Sequence, residues 1–393
     1  MSAPRILVFG AWDDGPGYPR TRAWLQGLDA AGQAPTLWRL PSPFAGQKRL
    51  DVVRCPWRWP GAACRLAAWR RRARAELTVA LRVVRPDVVV LPYPGHALAP
   101  IVRQEFAGKI VLDLFLSAHD TVIDDRAWFR PNSWPARRLL ALDRGACAAA
   151  DVVLLDTPAH AAHVAALCGL DPQRVTWLPV GDPDAPAVAL PVAPASAPLH
   201  VLFFGTGVPL HGLLLLVEAA HACAGLVRLE VIGGSRAERA AIAAQASPHV
   251  QLGAAFVARR ELTRAMARAH LVAGVFGASA KAQRVIPFKV VHAMAAGRAV
   301  LTGDTVAVRA WLRDGEDVLL APTGDAEALA ARLRAVAMAP ERLASIGQAA
   351  RATFVQRFSA AALARRWQEL LPTIFVTGEQ EDSALHTEVA ARA

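Results

Sequence analysis

The chain has 393 residues, which is enough for two domains of ordinary size, each with its own core. Hydrophobic residues make up 54% and charged residues 20% of the chain, a composition that excludes a disordered protein, and no apolar run is long enough to span a membrane. The net charge of +11 comes mostly from arginine and indicates an anionic partner: a nucleotide, a phospholipid surface or a nucleic acid.

The five cysteines are scattered and match no zinc-binding spacing, so we expect free thiols in a reducing compartment. The first predicted strand, Ile6–Phe9, lies so close to the start that we expect no secretory signal peptide. Together these features predict a cytoplasmic protein.

The N-terminal half alternates short β-branched runs with longer segments rich in alanine, leucine and arginine. The longer segments predict helices, such as Thr21–Ala31 and Leu139–Ala149. The short runs predict buried parallel strands over Ile6–Phe9, Val88–Leu91, Ile110–Leu114, Val152–Leu155 and Val175–Pro179. A stretch rich in proline and alanine, from Asp182 to Pro198, lacks periodicity and predicts an interdomain linker.

A second series of strands and helices follows the linker. Its predicted strands are Val201–Phe204, Leu229–Ile232, Val250–Leu252, Leu271–Val275, Ala299–Leu301 and Val318–Ala321. Helices are expected between Asp325 and Arg357, a final helix over Ala360–Leu371, and a disordered polar tail after Thr377. Two such series predict two doubly wound α/β domains, with a ligand in the cleft outside the carboxyl ends of the strands.

The segment that opens at Arg284 has the features of an anion site. Pro287 fits the first position of a helix that ends at Gly297, and the free N–H groups of a first helical turn attract anions. A lysine in that turn, Lys289, is explained if an anion binds there, and Lys281 flanks the same loop. The alternative is a surface helix whose basic residues are merely solvated.

A second candidate segment follows the strand Val201–Phe204. The turn Gly205–Gly207 allows the backbone to approach a ligand closely, and a helix begins near His211. Many strand–helix turns carry a Gly-x-Gly sequence without binding anything, so this turn alone leaves both interpretations open.

Several short motifs, in order along the chain, resemble the C-terminal domain of family 4 glycosyltransferases. The motifs are Phe204-Gly205, His211-Gly212, Glu218-Ala219, Gly253, Pro287-x-Lys289, Ala293-Met294-Ala295-x-Gly297, Asp314-Gly315-Glu316-Asp317, Pro322-x-Gly324-Asp325 and Arg357-Phe358-Ser359. The resemblance is strong from Val201 to Leu371 and weaker in the N-terminal half.

The resemblance implies a GT-B fold of class α/β, in which two Rossmann-like domains face each other. It implies an N-terminal acceptor-side domain over 1–182, a linker over 183–198 and a donor-nucleotide domain over 199–357. A C-terminal helix over 358–376 is expected to pack back towards the N-terminal domain, ahead of a tail over 377–393.

The resemblance also implies a nucleotide-diphosphate sugar as donor, retention of the anomeric configuration, and no metal ion or other cofactor. The residues expected to bind the donor are Gly205, Thr206, Gly207, His211, Gly253, Lys281, Arg284, Pro287, Phe288, Lys289, Val290 and His292. Two glutamates of the family are replaced by Arg284 and His292, and an Arg and a Lys by Thr206 and His211. We expect His292 to hold a hydroxyl group of the ribose, and the phosphate role to pass to Lys281, Arg284 and Lys289.

Two loops of the N-terminal half follow predicted strands and therefore face the same cleft. The first carries Gly15, Gly17, Arg20 and Arg22, which we expect on the acceptor and phosphate side; a solvated glycine loop is the alternative.

The second loop carries His119 and Asp120. They resemble the histidine-containing loop that the family places beside the donor sugar, and we expect one of them to contact the acceptor or handle a proton. Structural pairing of Asp120 or Asp125 with Arg126 is the competing interpretation.

Arginines from Arg65 to Arg74 lie beside Trp57, Trp59 and Trp69, a combination that suits the headgroups of an anionic membrane. A core-packed helix with a solvated basic face is the alternative. No nucleic-acid-binding motif accompanies these arginines, so we expect no nucleic acid as partner.

The leading hypothesis is transfer of a sugar to a glycan or lipid-linked acceptor in polysaccharide biosynthesis of the cell envelope, by a protein peripheral to the inner face of the cytoplasmic membrane. A non-catalytic relative that binds a nucleotide or glycan is the second hypothesis, because the glutamate pair is missing. A sugar-nucleotide epimerase is the third.

Overall fold

The computed structural model describes residues 4–15, 18–44, 52, 55–193 and 196–376. The described chain forms two six-stranded sheets, and every strand pair in both sheets is parallel. Helices cover both faces of each sheet, which buries the apolar strands on both sides. The prediction of two Rossmann-like α/β domains is therefore confirmed.

The first sheet has the strand order β2-β1-β3-β4-β5-β6. Its strands are β1 (Ile6–Gly10), β2 (Thr36–Arg39), β3 (Val88–Leu91), β4 (Lys109–Asp113), β5 (Val152–Leu155) and β6 (Val175–Trp177). Its helices are α1 (Arg20–Ala30), α2 (Trp59–Val84), α3 (Ala99–Glu105), α4 (Trp134–Ala148) and α5 (Pro158–Cys168), with a π-helix over Asp120–Asp125 between β4 and α4.

The second sheet has the order β12-β11-β10-β7-β8-β9. Its strands are β7 (Leu199–Gly205), β8 (Val227–Gly233), β9 (Val250–Leu252), β10 (Leu271–Ala273), β11 (Ala299–Gly303) and β12 (Leu319–Ala321). Its helices are α6 (Leu213–Ala222), α7 (Arg236–Gln245), α8 (Arg259–Arg268), α9 (Phe288–Ala295), α10 (Val306–Arg309), α11 (Ala326–Ala337) and α12 (Arg342–Arg357).

The last described helix, α13 (Ala360–Val376), packs on the N-terminal domain although it follows the second sheet in sequence. Leu363, Trp367 and Leu370 join the core formed by β1, β3 and α1, and the Trp367 ring lies 4.8 Å from that of Trp24. Gly27 of α1 allows the close approach, because a Cβ there would lie 2.2 Å from the carbonyl oxygen of Ala360. The chain thus crosses back between its two domains.

Two elements were not predicted. Strand β2 lies at the edge of the sheet with three of its four residues exposed, so it lacks the apolar run by which the central strands were recognised. The π-helix was read as a polar loop, because three of its six residues are aspartates. Helix α9 also differs from prediction: Pro287 has an extended conformation (φ −65°, ψ 143°) and precedes the helix as its N-cap.

Candidate active site

The candidate site lies where loops at the carboxyl ends of β4 and β5 meet loops that follow β7 and β10. Arg284, which precedes α9, donates to the carboxylate of Asp120 from the π-helix at 2.5 Å. The hydroxyl of Thr157, the N-cap of α5, donates to the backbone carbonyl of Arg284. These contacts bring predicted residues of the two domains together at the carboxyl ends of both sheets, where α/β proteins bind their ligands.

Lys289 lies in the first turn of α9 and has a buried side chain, 5% exposed. Its Nζ lies 3.8 Å from the centre of the Phe203 ring and has no hydrogen-bond partner among the described residues. Burial holds the pKa of Lys289 well below its usual range, and the negative charge of Glu238 only partly opposes this effect. A buried amine without a partner favours binding of an anion, which would restore the charged form.

The turn after β7 lies directly beside this amine. A Cβ added to Gly205 would lie 3.0 Å from Lys289 Nζ and 3.0 Å from His211 Nδ1, so the absence of a side chain keeps the backbone close to both groups. Burial, and then the charges of Lys289 and Arg126, hold the pKa of His211 well below its usual range. The two segments that the sequence marked as donor-binding therefore meet at Gly205.

The neighbouring turns are closely packed. A Cβ on Gly233 would lie 2.0 Å from the carbonyl oxygen of Gly205, and Gly233 has a positive φ of +100°. Arg239 donates to the carbonyls of Gly233 and Gly253, both at 2.8 Å, and so joins the ends of β8 and β9. Arg239 was missed in the sequence, since one arginine in a helix gives no sign of such a role.

Three of the other predicted donor residues of these segments are exposed or partly exposed, and the fourth is buried. Thr206 is exposed, Pro287 and Phe288 are partly exposed, and Val290 is buried in the core between α9 and the sheet. The backbone N–H of Val290 is bonded to the carbonyl of Pro287 at 2.9 Å, so this residue contributes to the helix and its core.

Lys281 and Arg284, predicted to bind phosphate, both face Asp120 of the N-terminal domain. Lys281 Nζ lies 3.4 Å from Asp120 Oδ2 and donates to the hydroxyl of Thr121 at 2.7 Å. Burial by itself would raise the pKa of Asp120, but the interaction with His160 and the charges of Lys281 and Arg284 together hold it below its usual range. The carboxylate of Asp120 therefore already pairs with the two cations that were expected to bind phosphate.

Two buried side chains, Asp143 and His160, position the loop of His119 and Asp120. The carboxylate of Asp143, in α4, accepts from the hydroxyl of Ser117 at 2.7 Å and from the backbone N–H of His119 at 2.9 Å. His160 contacts Asp156 at 2.6 Å through Nδ1, while its Nε2 lies 3.6 Å from Asp120, a separation that leaves mainly coulombic attraction. The partners of Asp143 and the Asp120 contact of His160 are distant in sequence, so the sequence analysis missed both residues.

His119 itself is partly buried, and its ring Nδ1 lies 3.9 Å from a carboxylate oxygen of Asp124. Asp120 therefore has several ionic partners, whereas His119 has one longer contact, to Asp124 of the π-helix. The competing interpretation paired Asp120 or Asp125 with Arg126. Asp120 pairs with Arg284 and Lys281 instead, whereas the charge of Arg126 acts on Asp125 and opposes the rise in its pKa that burial causes.

His292, the residue at the second glutamate position of the family, bonds to Asp182 in the linker, with Nδ1 and Oδ2 2.6 Å apart. Burial would raise the pKa of Asp182, but the His292 hydrogen bond, the His292 charge and the Arg259 charge together lower it. Arg259, at the start of α8, contacts both Asp182 and Asp184. The expected ribose-binding residue is thus tied to the connection between the two domains.

Arg20 was predicted on the phosphate side, and this prediction is wrong. Its side chain is buried, forms two hydrogen bonds to Asp113 at 2.8 and 2.9 Å, and donates to the carbonyls of Leu155 and Leu178. The buried guanidinium therefore holds the strand ends of the first sheet together.

Of the other residues of that loop, Arg22 forms an ion pair with Asp184 of the linker. The prediction that it contacts phosphate would require this pair to break. Gly15 is partly exposed, with open space where a Cβ would stand, and the predicted Gly17 lies outside the described residues.

One group of side chains in the described chain has the spacing of metal ligands: Asp120, Asp124 and His163. Burial and then the positive charge of Arg284 lower the pKa of His163, and Asp120 is already paired with Lys281 and Arg284. The positive surroundings fit an anion better than a further cation.

Comparisons with known proteins agree with this architecture. Residues 198–338 match the family model described as glycosyl transferases group 1. Sucrose-phosphate synthase from Thermosynechococcus elongatus has a similar structure, with a TM-score of 0.70 and 16% identity over 95% of this chain and 100% of that one. HepE from Anabaena, solved in complex with UDP, has a TM-score of 0.63 and 14% identity over 94% of this chain and 100% of that one.

A third similar structure is TarM from S. aureus. Its TM-score is 0.55 at 14% identity, over 76% of this chain and 58% of that one. No curated protein sequence matches the chain significantly.

The two facing sheets and the crossing helix define a protein of the GT-B fold. The matched segment covers the second sheet and its helices as far as α11, so this part of the chain is similar to a group 1 glycosyltransferase domain. The prediction of an enzyme of the glycosyltransferase class is confirmed at this level.

Proposed function

We propose that this protein transfers a sugar from a nucleoside-diphosphate donor to a glycan or lipid-linked acceptor. The observation that carries the proposal is the buried amine of Lys289, which has no hydrogen-bond partner in the described chain and lies beside the backbone of Gly205. A diphosphate at this corner would supply the missing negative charge. The matched relatives support the choice of donor, since HepE was solved with UDP and also with UDP-glucose.

The chemistry of the transfer follows from the cations. Cleavage of the glycosidic bond leaves negative charge on the departing diphosphate, and Lys289 and the first turn of α9 are suited to stabilise it. Lys281 and Arg284 add two further positive charges once they exchange Asp120 for phosphate. We propose that this charge stabilisation operates without a metal ion and that the sugar retains its anomeric configuration.

In this mechanism His119 and Asp120 belong to the acceptor side of the cleft. When the diphosphate takes over Lys281 and Arg284, the carboxylate of Asp120 becomes available to accept a hydrogen bond from an acceptor hydroxyl group. His119, at the start of the π-helix, lies beside the same position and can hold a proton. His292, with its Nδ1 on Asp182, keeps Nε2 available for a ribose hydroxyl group.

A nucleotide screen tests the donor site. Thermal unfolding of the wild type is measured with UDP, GDP, ADP and TDP, and then repeated with Lys289→Met. We expect one diphosphate to raise the Tm of the wild type selectively and to have little effect on the variant, because only a ligand that binds the folded state stabilises it. No shift with any of the four would refute the donor site.

Turnover and the proposed independence of metal ions are tested together. Hydrolysis or transfer of the matching sugar nucleotide is followed with and without a chelator such as EDTA, and the anomeric configuration of the product is read by NMR. We expect unchanged rates in the chelator. A rate that falls with EDTA and returns with Mg²⁺ would contradict the proposal.

The biological setting belongs to the same proposal: synthesis of cell-envelope polysaccharide at the inner face of the cytoplasmic membrane. None of the helices in the described part of the chain is both long and apolar enough to cross a bilayer. A donor-dependent assay with lipid extracts and with free glycans as acceptors distinguishes the two acceptor classes.

A second candidate function is nucleotide or glycan binding without transfer. It is favoured by one observation: Arg284 and His292, at the positions of the family's two glutamates, are both engaged with aspartates of this chain. Calorimetry that shows tight diphosphate binding, together with no turnover in the presence of cell-envelope lipids, would favour this alternative.

A further inference from the structure

An apolar groove lies on the N-terminal domain, outside the candidate active site. It has a volume of about 290 Å³ and runs between the first turns of α2 and α4. The lining consists of Phe44, Val52, Trp59, Ala62, Ala63, Leu66, Phe129, Trp134, Pro135, Arg138 and Leu139. Ten of these residues are apolar and none is acidic.

The walls of the groove are large and partly exposed. The rings of Trp59 and Trp134 stack with their centres 5.6 Å apart, and Trp134 is 51% exposed. Leu66, Phe129 and Leu139 are each half-buried. A surface of this size and composition on a folded domain indicates a binding site for an apolar ligand or surface.

Arginines border the apolar walls. The guanidinium of Arg65 lies 5.6 Å from the centre of the Phe44 ring, and that of Arg138 lies 5.2 Å from the centre of the Trp134 ring. Both side chains are exposed, as is the neighbouring Arg58. Cations beside tryptophans at the rim of an apolar groove match a ligand that has an anionic head and a hydrocarbon tail.

The structure also revises the position of the predicted membrane surface. Arg72 and Arg74, in the middle of α2, each have an acidic neighbour: Glu76 at 3.9 Å and Glu105 at 3.1 Å, respectively. The apolar residues and the arginines of the groove instead cluster at the start of the helix. A basic surface suited to a lipid therefore lies at the N-terminal end of α2.

The groove adjoins the candidate active site through a shared wall. Phe129 and Leu139 line the groove and also pack against Val122 and Ile123 of the π-helix, which carries Asp120. A lipid held in the groove would therefore lie on the acceptor side of the cleft.

We propose that this groove receives the hydrocarbon chain of an anionic membrane lipid, while Arg65 and Arg138 contact its headgroup, and that the protein docks on a bilayer in this way. The proposal is independent of the transfer reaction, because docking is measured without donor or acceptor.

Vesicle binding of the full chain tests the docking. Cosedimentation is measured with phosphatidylcholine vesicles, with and without phosphatidylglycerol, for the wild type and for Arg65→Glu/Arg138→Glu. The control is Arg264→Glu/Arg313→Glu, which has the same change in charge on exposed residues of the other domain. We expect binding only to the anionic vesicles, a loss of about tenfold or more in the groove variant, and little change in the control.

A second measurement tests the groove itself. Vesicles with brominated acyl chains quench tryptophans that contact the chains, so we expect quenching in the wild type and much less in Leu66→Glu. Equal loss of binding in both charge variants would show unspecific attraction and overturn the proposal, as would the absence of binding to anionic vesicles. Leu66→Glu could also lower the Tm without vesicles and leave the quenching unchanged. That result would show that another part of this chain covers the groove, and it would overturn the proposal.

Discussion

At the scale of one residue, the buried amine of Lys289 suits ligand binding but lowers the stability of the ligand-free fold. An amine buried without a hydrogen-bond partner in the described structure destabilises the folded state, because either its charge or its polar group has lost water. Proteins retain such groups where a ligand supplies the missing interaction, and the adjoining turn at Gly205 leaves the backbone open to one.

The first prediction follows from the pKa of this amine. We expect Lys289→Met to raise the Tm of the ligand-free protein, by about 2–4 °C for each kcal/mol gained, and to weaken binding of the preferred nucleoside diphosphate about tenfold or more. Thermal unfolding and calorimetry measure the two effects. A Tm that falls would mean that the amine has a partner which stabilises the fold.

The pH dependence has a definite sign. Burial lowers the pKa of Lys289 in the folded state, so the unfolded chain binds more protons and the stability of the wild type rises with pH up to the usual lysine pKa of about 10.4. The Tm gain of Lys289→Met should therefore be largest near neutral pH and shrink as the pH approaches that value. Tm profiles of both proteins against pH check this.

The same shift predicts proton uptake when the diphosphate binds, because a phosphate beside the amine favours its charged form. Calorimetry in buffers of different ionisation enthalpy measures the uptake, which should be smaller in Lys289→Met. His211 also has a lowered pKa, so the variant His211→Asn measures how much of the proton uptake is due to His211. Equal proton uptake in the wild type and in both variants would show that neither Lys289 nor His211 takes up the proton.

At the scale of an element, the π-helix Asp120–Asp125 is the part of the N-terminal domain that enters the cleft. π-helices are rare and are frequently found at functional sites, because the widened turn redirects side chains. Here it directs Asp120 towards Lys281 and Arg284, while the buried Asp125 lies near the backbone amide of Leu210. The helix thus contacts both loops of the other domain that were predicted to bind the donor.

The second prediction concerns Asp120→Asn. Removal of one partner from a buried ion pair leaves uncompensated charge, so we expect the ligand-free protein to lose stability, by roughly 3 kcal/mol. The nucleoside diphosphate should bind more tightly to the variant, since it no longer competes with the carboxylate for Lys281 and Arg284. Thermal unfolding and calorimetry report the two quantities.

Asp124→Asn is the control, because Asp124 lies on the same helix but is exposed. It should leave both stability and affinity nearly unchanged. If Asp120→Asn leaves diphosphate affinity unaltered, Lys281 and Arg284 do not contact the phosphates.

At the scale of the whole molecule, the start of the linker contacts charged residues of both domains. Asp182 contacts His292 and Arg259, and Asp184 contacts Arg22 and Arg259, so one short segment joins charges from both domains. His292, the side chain expected to bind ribose, therefore belongs to the same network of ionic contacts as the linker. Changes in the linker should affect donor binding and domain orientation together.

The third prediction tests this coupling with Arg259→Gln. Loss of the ion pairs to Asp182 and Asp184 should loosen the domains, increase the radius of gyration in small-angle scattering, and weaken diphosphate binding through His292. The matched control is Arg260→Gln, which changes the exposed neighbour on the same helix. Identical scattering curves for Arg259→Gln and the control would show that the linker network does not hold the domains.

The amino-acid sequence by itself determined the two-domain α/β architecture and most of its strands. The runs Val88–Leu91 and Val152–Leu155 were predicted with their observed bounds, because strands buried on both faces must be continuously apolar. The bounds of the edge strand Val250–Leu252 were also predicted as observed. The turn at Gly205 and the helix after Pro287 were also found from sequence, since backbone geometry there requires particular residues.

Only the tertiary structure decided which charges are available to a ligand. Arg20 looked free in its loop but is buried against Asp113, whereas Lys281 and Arg284 meet Asp120 from residues more than 100 positions away in sequence. A charged side chain is paired by whichever group the fold brings within a few ångströms, and local patterns contain no information about that partner. For this reason the sequence predicted the candidate site, and the packing of the two domains determined its ion pairs.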